Sequence, residues 1–342
     1  MNSLTLENFR LHTFFHLDFI KNFILITGVN GSGKTSILEA INLLSTTKSF
    51  RTNDDLDLIN NDARTLFSKV SMNLDDNKYE IVLTKNSKRV FINELEVNKF
   101  SNYFGQFGVV VFSSDDLHYI KGFPGERRKF FDMMFSQFDQ EYLRCLIAYK
   151  NIIKQKNILL KDGSNNFMTI EAINTLVLRK SMILHNYRQK FIDLINLELN
   201  SDFNIKYLAA FDEERELEKT LIHEQKREFQ YRVAIYGAHR DDYAFYFQKQ
   251  EASIYASAGQ ARLLMINVKL AFLRVLKKIT TKRILLLLDD ILSELDKANQ
   301  SYILSCIPND TYVFITDTKN IRYKKGFPVQ RVNLKGELKN EQ

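Results

Sequence analysis

The sequence predicts an α/β fold, a mixed sheet with an antiparallel hairpin lobe, interrupted by a short helical arm. Apolar, β-prone segments occur towards both ends of the chain. Between them, residues 126–160 and 168–199 repeat apolar side chains at helical spacing. Strands on both sides of a helical insertion, with one glycine-rich loop near the N-terminus, indicate a single fold with an inserted arm. We expect the α/β head to span residues 1–117 and 236–342, and the arm to span 118–235.

The N-terminal part of the head is predicted to be rich in strands. Alternating apolar residues predict strands within 1–10 and 15–19, and Phe23–Thr27 is typical of a buried strand. Period-two patterns separated by polar turn clusters predict a meander of antiparallel hairpins over 65–98. The continuous apolar run 107–112 predicts a strand that is buried on both faces.

The remaining elements follow from the same periodicities. The two arm helices are expected to pack against each other in antiparallel fashion, joined by a turn at 161–166, and the charged stretch 212–230 is typical of a solvated helix. The last part of the chain predicts a helix at 259–278, a buried strand at 282–289, a short helix at 296–306, a strand at 311–317 and a hairpin-like segment at 329–338.

The glycine-rich loop has the pattern G-x-x-x-x-G-K-T over Gly28–Thr35, between the buried strand and a predicted helix at 34–45. Glycines let the backbone fold around phosphate groups, and the positive end of the following helix points at the same place. Lys34 would reach the β- and γ-phosphates, and Thr35 would hold Mg²⁺. The alternative is a chance glycine-rich turn, but both flanks have the required type. The loop therefore predicts binding of a nucleoside triphosphate with Mg²⁺. The expected binding residues are Gly28, Val29, Asn30, Gly31, Ser32, Gly33, Lys34, Thr35 and Ser36.

A second cluster follows the apolar strand Ile284–Leu288, which ends in Asp289 and Asp290. Carboxylates at the C-terminal end of such a strand lie where an α/β sheet forms its ligand crevice. We expect Asp289 to hold Mg²⁺, directly or through water, and Asp290 to polarise an attacking water. Asp290 and Lys34 are the predicted catalytic residues.

A third motif, Ser257-Ala258-Gly259-Gln260, stands at the start of the predicted helix at 259–278. Ser257 is a typical N-cap residue, and Gly259 leaves space for an anion at the helix N-terminus. Taken alone, the motif indicates only a helix cap. Its place before the acidic strand makes Ser257, Gly259 and Gln260 candidates for nucleotide binding.

Composition restricts the other possibilities. The 342-residue chain carries a net charge of +7 with a pI near 9.1, which is compatible with a polyanionic partner. Cys145 and Cys306 lie far apart in apolar surroundings, as expected for reduced thiols of a cytoplasmic protein. No signal peptide is visible, and the apolar run Ile284–Leu288 is too short to span a bilayer. We therefore expect a cytoplasmic protein with no membrane partner.

The motifs in this order are similar to those of ABC-type ATPases of the SMC/Rad50 group. More narrowly, the chain resembles the RecF family of bacterial DNA replication and repair proteins, over nearly its full length. The narrower resemblance is carried by Leu4–Arg10, Ser49–Arg51, Phe112–Leu117, Gly122–Asp132, Gly237–Asp242 and Leu288–Asp296.

The resemblance implies an ABC-type head that dimerises around ATP. Each nucleotide would be sandwiched between the phosphate loop of one subunit and the Ser257–Gln260 motif of the other, and hydrolysis at Asp290 would release the dimer. It also implies a weak, DNA-stimulated ATPase that acts as a clamp on duplex or gapped DNA, held largely by sequence-independent phosphate contacts. RecR- and RecO-type mediators would be its partners in loading a recombinase at gaps.

The sequence departs from the wider pattern at a few positions. Ser113 or Ser114 stands where many ABC ATPases have a glutamine, with Asp115 or Asp116 as possible substitutes, and Ala238 replaces a usual proline.

Two other functions remain open. A transporter motor subunit would co-purify with membranes, and a P-loop phosphotransferase would be monomeric, indifferent to DNA, and would use a small acceptor.

Overall fold

The computed structural model describes residues 1–63, 66–162, 167–211, 213–308, 310–317 and 328–334. Its contacts divide the chain into two compact units: the head unit, Met1–Asp115 with Thr280–Gln342, and the arm unit, Asp116–Ile279. The units differ from the predicted domains in residues 116–117 and 236–279, which belong to the arm unit. Part of the reason is that residues 242–247 pair as a strand with residues 203–208.

The elements of the head unit before the arm are β1 (Ser3–Phe9), β2 (His12–Asp18), β3 (Phe23–Gly28), α1 (Lys34–Thr46), β4 (Phe67–Leu74), β5 (Asn77–Thr84), β6 (Lys88–Ile92), β7 (Leu95–Glu96), α2 (Phe100–Tyr103) and β8 (Gly108–Ser113). The arm unit contains α3 (His118–Lys121), α4 (Pro124–Phe138), α5 (Gln140–Asp162), α6 (Phe167–Glu198), β9 (Phe203–Leu208), α7 (Glu214–His223), α8 (Gln225–Tyr231), β10 (Asp242–Phe247), β11 (Gln250–Glu251), α9 (Ala252–Tyr255) and α10 (Ala258–Ile279). The head unit then resumes with β12 (Ile284–Asp289), α11 (Lys297–Ser305), β13 (Tyr312–Asp317) and β14 (Val329–Leu334).

Two sheets form the head unit. An antiparallel sheet has the order β2-β1-β4-β5-β6-β7, which confirms the predicted hairpins, and a parallel sheet has the order β14-β3-β13-β12-β8. Helix α1 contacts strands of both sheets, and every one of its residues except Thr35 is buried. Burial of this helix between two apolar surfaces places the core directly behind the glycine-rich loop.

The register of the parallel sheet brings the carboxyl ends of its strands together. Asp289 pairs with Thr316 on one side and with Ser113 on the other. Thr27, at the end of β3, pairs with Asp317. Polar residues that end separate strands therefore share one edge of the sheet, as the crevice argument predicts.

In the arm unit, α6 packs against α5, α7 and α10, and β9 pairs with β10 in antiparallel register. The single helix predicted over 126–160 is wrong, since α4 and α5 are separated at Asp139. The backbone of Asp139 is extended, and its carboxylate accepts hydrogen bonds from the N–H groups of Glu141 and Tyr142. This N-cap starts a new helix although the apolar spacing continues across it.

Two further expectations change. The charged stretch 212–230 forms two helices that meet at Glu224, with residue 212 outside the described residues. The hairpin-like segment predicted at 329–338 is wrong for its described part, because β14 is a single strand that pairs in parallel with β3. Most of the turn predicted at 161–166 also lies outside the described residues.

In the ranges that the structure describes, none of the helices has the length and apolarity needed to cross a bilayer.

Candidate nucleotide-binding site

The loop between β3 and α1 depends on its glycines. Gly31 and Gly33 have φ angles of 82° and 88°, a left-handed conformation that side chains disfavour. A Cβ atom on Gly28 would lie 2.5 Å from the hydroxyl oxygen of Ser32 and 2.8 Å from the carbonyl oxygen of Leu334. The tight loop therefore requires glycine at positions 28, 31 and 33.

Lys34 begins α1 and is almost fully buried. Its ammonium group donates hydrogen bonds to the carbonyl oxygens of Gly28, at 2.9 Å, and of Val29, at 3.0 Å. The neighbouring residues Val29, Asn30 and Gly31 are exposed. A positive charge is thus held within the loop, beside the first turn of a helix whose N-terminus favours anions.

Asp289 connects the loop to the parallel sheet. Its Oδ1 accepts hydrogen bonds from the hydroxyl groups of Thr35 and Thr316, both at 2.9 Å. Burial raises the pKa of Asp289, and the two hydroxyl groups oppose that shift. A half-buried carboxylate beside a threonine hydroxyl fits Mg²⁺, which takes one or two protein oxygens and its other ligands from phosphates and water. Within the described ranges, no cluster of three or more His, Cys, Asp or Glu side chains could hold a metal by itself.

Asp290 lies just beyond the end of β12 and is separated from Asp289 by a backbone turn. Its φ angle is 52°, in the left-handed region, and its N–H group donates to the Thr316 hydroxyl at 2.9 Å. Thr316 orients both aspartates and was missed, because a threonine within an apolar strand carries no signal of its own in the sequence.

A buried polar cluster supports α1 and was also missed. Glu39 is fully buried, and its carboxylate accepts hydrogen bonds from the Arg10 guanidinium at 2.7 and 2.9 Å and from the Ser49 hydroxyl at 2.5 Å. The Arg51 guanidinium lies 3.8 Å from the same carboxylate. The available signal was a lone glutamate among the apolar residues of the predicted helix, since such a charge needs a partner.

The Ser257–Gln260 motif lies in the arm unit, at the start of α10. Gln260 donates its N–H to the Ser257 hydroxyl at 3.3 Å, and its side-chain oxygen accepts the Ser257 N–H at 2.9 Å. The predicted N-cap is therefore confirmed as a reciprocal capping box. All of the motif is exposed, and a Cβ atom on Gly259 would meet no atom within 4 Å. Its assignment to nucleotide binding stays a prediction.

In the segment after β8, Asp115 and Asp116 are possible substitutes for the glutamine of other ABC ATPases. Asp116 instead forms an ion pair with Lys269 of α10, at 2.5 Å. Burial lowers the pKa of Lys269, and Asp116 opposes the shift. This pairing within the arm unit satisfies Asp116 without a metal.

Comparisons with known proteins place this arrangement in a family. The family model described as RecF/RecN/SMC N terminal domain matches residues 1–332. A DNA replication and repair protein RecF of Acholeplasma laidlawii is 38% identical, over 92% of this chain and 93% of the relative. The chain belongs to the RecF family. RecF of Oenococcus oeni is 32% identical, over 93% of this chain and 92% of the relative.

Solved RecF structures share the fold. A structure described as the recombination mediator protein RecF-ATP in the RecFOR pathway has a TM-score of 0.87 at 26% identity, covering 94% of this chain and 92% of that one. A second, described as RecF-ATPrS, has a TM-score of 0.84 at the same identity. The expected ATPase-type α/β head and the RecF resemblance are therefore confirmed.

The structure also shows what two stretches that carried the RecF resemblance, 122–132 and 237–242, do in the fold: their residues contact each other. The Arg127 guanidinium donates two hydrogen bonds of 2.8 Å to the Asp242 carboxylate, and Arg128 donates to the Asp241 carbonyl oxygen at 2.7 Å. Arg188, which is 1% exposed, reaches both stretches. These RecF sequence features therefore stabilise the arm unit from within.

Arg188 is the centre of this polar cluster. Its guanidinium donates to the Asp241 carboxylate at 2.5 Å, the Asp132 carboxylate at 2.9 Å and the Ala238 carbonyl oxygen at 2.7 Å. Burial alone would raise the pKa of Asp132, but the charges of Arg188 and Lys150 outweigh it and leave that pKa lowered.

His239 is part of the same stretch and is held as a neutral ring. Its N–H-bearing Nε2 donates to the Ala234 carbonyl oxygen at 3.1 Å, and its Nδ1 accepts the Tyr149 hydroxyl at 2.8 Å. Burial lowers the pKa of His239 to about 4. The histidine is thus a structural hydrogen-bonding group of the arm unit.

Proposed function

We propose that this chain is an ATP-dependent DNA-binding protein of recombinational repair and replication restart. The contact that carries the proposal is the 2.9 Å hydrogen bond from Thr35 to Asp289, which joins residues 254 positions apart. It brings the start of α1 to the acidic end of β12, behind a left-handed glycine loop. This combination of groups suits the triphosphate and Mg²⁺ of ATP.

Each residue of the site has a separate role in this proposal. The loop N–H groups and the Lys34 ammonium bind the phosphates, and Lys34 stabilises the charge that develops on the leaving phosphates. Thr35 and Asp289 would hold Mg²⁺, which would neutralise phosphate charge. Asp290 orients the attacking water, and Thr316 keeps the Asp290 backbone in place.

We infer that the active form is a homodimer that closes around ATP. Ser257, Gly259 and Gln260 are exposed at the start of α10, and the space beside Gly259 is open. A helix N-terminus with an exposed serine and a glycine suits a γ-phosphate that is presented by a second subunit. ATP then favours the dimer, and hydrolysis releases it.

DNA and mediator proteins are the proposed partners. The matched relatives are named DNA replication and repair proteins, and one solved relative is described as acting in the RecFOR pathway. The net charge of +7 favours a polyanion. We propose sequence-independent binding to duplex or gapped DNA, with RecR- and RecO-type mediators, in the cytoplasm.

Phosphate release in the presence and absence of gapped duplex tests this function. We expect slow hydrolysis that DNA accelerates, and we expect Asp290→Asn to bind ATP while losing hydrolysis. Hydrolysis that is indifferent to DNA, together with phosphate transfer to a small acceptor, would instead identify a phosphotransferase.

A further inference from the structure

The turn between β1 and β2 lies against α1 at both of its ends. Arg10 and Leu11 form this turn, with Phe9 and His12 as the flanking pair. Arg10 contacts Glu39, in the second turn of α1, and His12 contacts Gly33, the residue before the helix. The turn is therefore fixed to the helix that begins with Lys34.

The Arg10 contact makes this arrangement rigid. Its guanidinium forms two hydrogen bonds to the fully buried Glu39 carboxylate and a third, of 2.7 Å, to the carbonyl oxygen of Asp57. Paired charge-assisted bonds of this kind fix both distance and orientation. The position of His12 is consequently determined by residues outside the loop.

The His12 ring lies directly on the loop. Its Nε2 is 3.1 Å from the carbonyl oxygen of Gly33. Because a carbonyl oxygen only accepts, Nε2 carries the hydrogen. A Cβ atom on Gly33 would lie 2.5 Å from Nε2, so the imidazole occupies the space that any side chain at position 33 would need.

The Gly33 carbonyl controls the orientation of a phosphate-binding group. Gly33 is the N-cap residue of α1 and has a left-handed backbone, and its carbonyl oxygen also accepts the Ile37 N–H at 3.3 Å, so His12 is the second donor to this oxygen. The peptide between Gly33 and Lys34 is planar and trans, so its C=O and N–H point in opposite directions. Holding the oxygen therefore aims the Lys34 N–H away from His12. That N–H is one of the first helix donors, which have no partner within the helix.

We propose that His12 is a positioning residue for the phosphate loop, which it orients through the Gly33 carbonyl oxygen. The inference rests on the proposed binding of ATP at this loop. His12 touches the loop backbone, and its effect on the nucleotide passes through the Lys34 N–H.

Calorimetric titration of ATP with Mg²⁺ into His12→Phe tests the proposal. Phenylalanine keeps a ring beside Phe15 but lacks the donor. We expect affinity to fall about 3- to 10-fold, the effect of one neutral hydrogen bond. His12→Gln restores a donor and should recover affinity to within about 2-fold of the parent. In the ATPase assay the KM for ATP should rise while kcat changes less, because the phosphates are bound before the reaction.

The matched control is His16→Phe, an exposed position on the same strand, which should leave affinity unchanged. His12→Leu gives a second loss of the donor if the phenylalanine variant fails to fold. Equal affinities for the parent, His12→Phe and His12→Leu would overturn the inference while leaving ATP binding intact. Failure of the parent to bind ATP would instead overturn the proposed function.

Discussion

The head unit and the arm unit each contain a cluster of charged side chains, and the two clusters are satisfied differently. In the arm unit, Arg188 is buried and contacts two carboxylates and a carbonyl oxygen. In the head unit, Lys34 donates to two backbone carbonyl oxygens, and the hydroxyl groups of Thr35 and Thr316 both donate to the same oxygen of Asp289. In the first cluster the charged groups pair with one another, whereas in our proposal the groups of the second exchange their contacts for the nucleotide. Charge that is fully paired inside the protein indicates stability, and charge that can change partners indicates binding.

The largest effect is expected from breaking the arm cluster. Arg188→Met removes the buried cation that Asp132 and Asp241 share, which costs about 3–5 kcal/mol. We expect denaturant-induced unfolding to show a loss of this size. Arg144→Met, at an exposed ion pair on α5, is the matched control and should cost less than about 1 kcal/mol. Equal losses for the two variants would contradict a structural role for Arg188.

Substitution of Lys34 in the head unit should lower ATP turnover more than it lowers stability. Lys34→Ala removes the cation that would contact the phosphates, and ATP turnover should fall on the order of 10²–10³-fold. The free energy of unfolding should change by less than for Arg188→Met. The reason is that the hydrogen bonds from Lys34 to two backbone carbonyl oxygens contribute less to stability than the buried ion pairs of Arg188. The exposed Lys21 gives the control Lys21→Ala, which should keep parental turnover. A turnover close to the parent for Lys34→Ala would remove the basis for the site.

The pH dependence of stability sharpens the comparison further. The pKa of His239 is about 4 in the folded protein, below the ordinary value of 6.5, so the unfolded chain binds the extra proton first. The arm unit should therefore lose stability as pH falls from 6.5 towards 4, by about 1.4 kcal/mol per pH unit from this group. His239→Gln should remove that slope relative to the parent, and His16→Gln, at an exposed histidine, should keep it. An unchanged slope in His239→Gln would contradict the buried neutral ring.

Local patterns predicted much of the fold and of the candidate site. The glycine loop, the acidic strand end and the capping serine each lie within a few neighbouring residues, so their chemistry is visible in sequence. The break at Asp139 was missed because apolar periodicity continues through an N-cap. Residues 236–279 pack within the arm unit, in part because pairing between β9 and β10 joins separate parts of the chain.

The supporting residues were harder to predict for a related reason. Glu39, Arg188 and Thr316 all form hydrogen bonds with partners that are distant in sequence. Burial of a charge requires a partner, but it does not say which residue supplies it. The sequence could indicate that a buried pair exists, while only the packed structure identifies its members.

Sedimentation velocity of the Asp290→Asn protein tests most directly the claim that two copies together enclose ATP. With ATP and gapped duplex we expect a dimer, and with ADP and no DNA a monomer. Adding Ser257→Arg should keep ATP bound but leave the protein monomeric, while Ser201→Arg, at an exposed serine elsewhere in the arm unit, should still dimerise. A monomer that binds ATP fully, or a dimer unaffected by Ser257→Arg, would contradict the account.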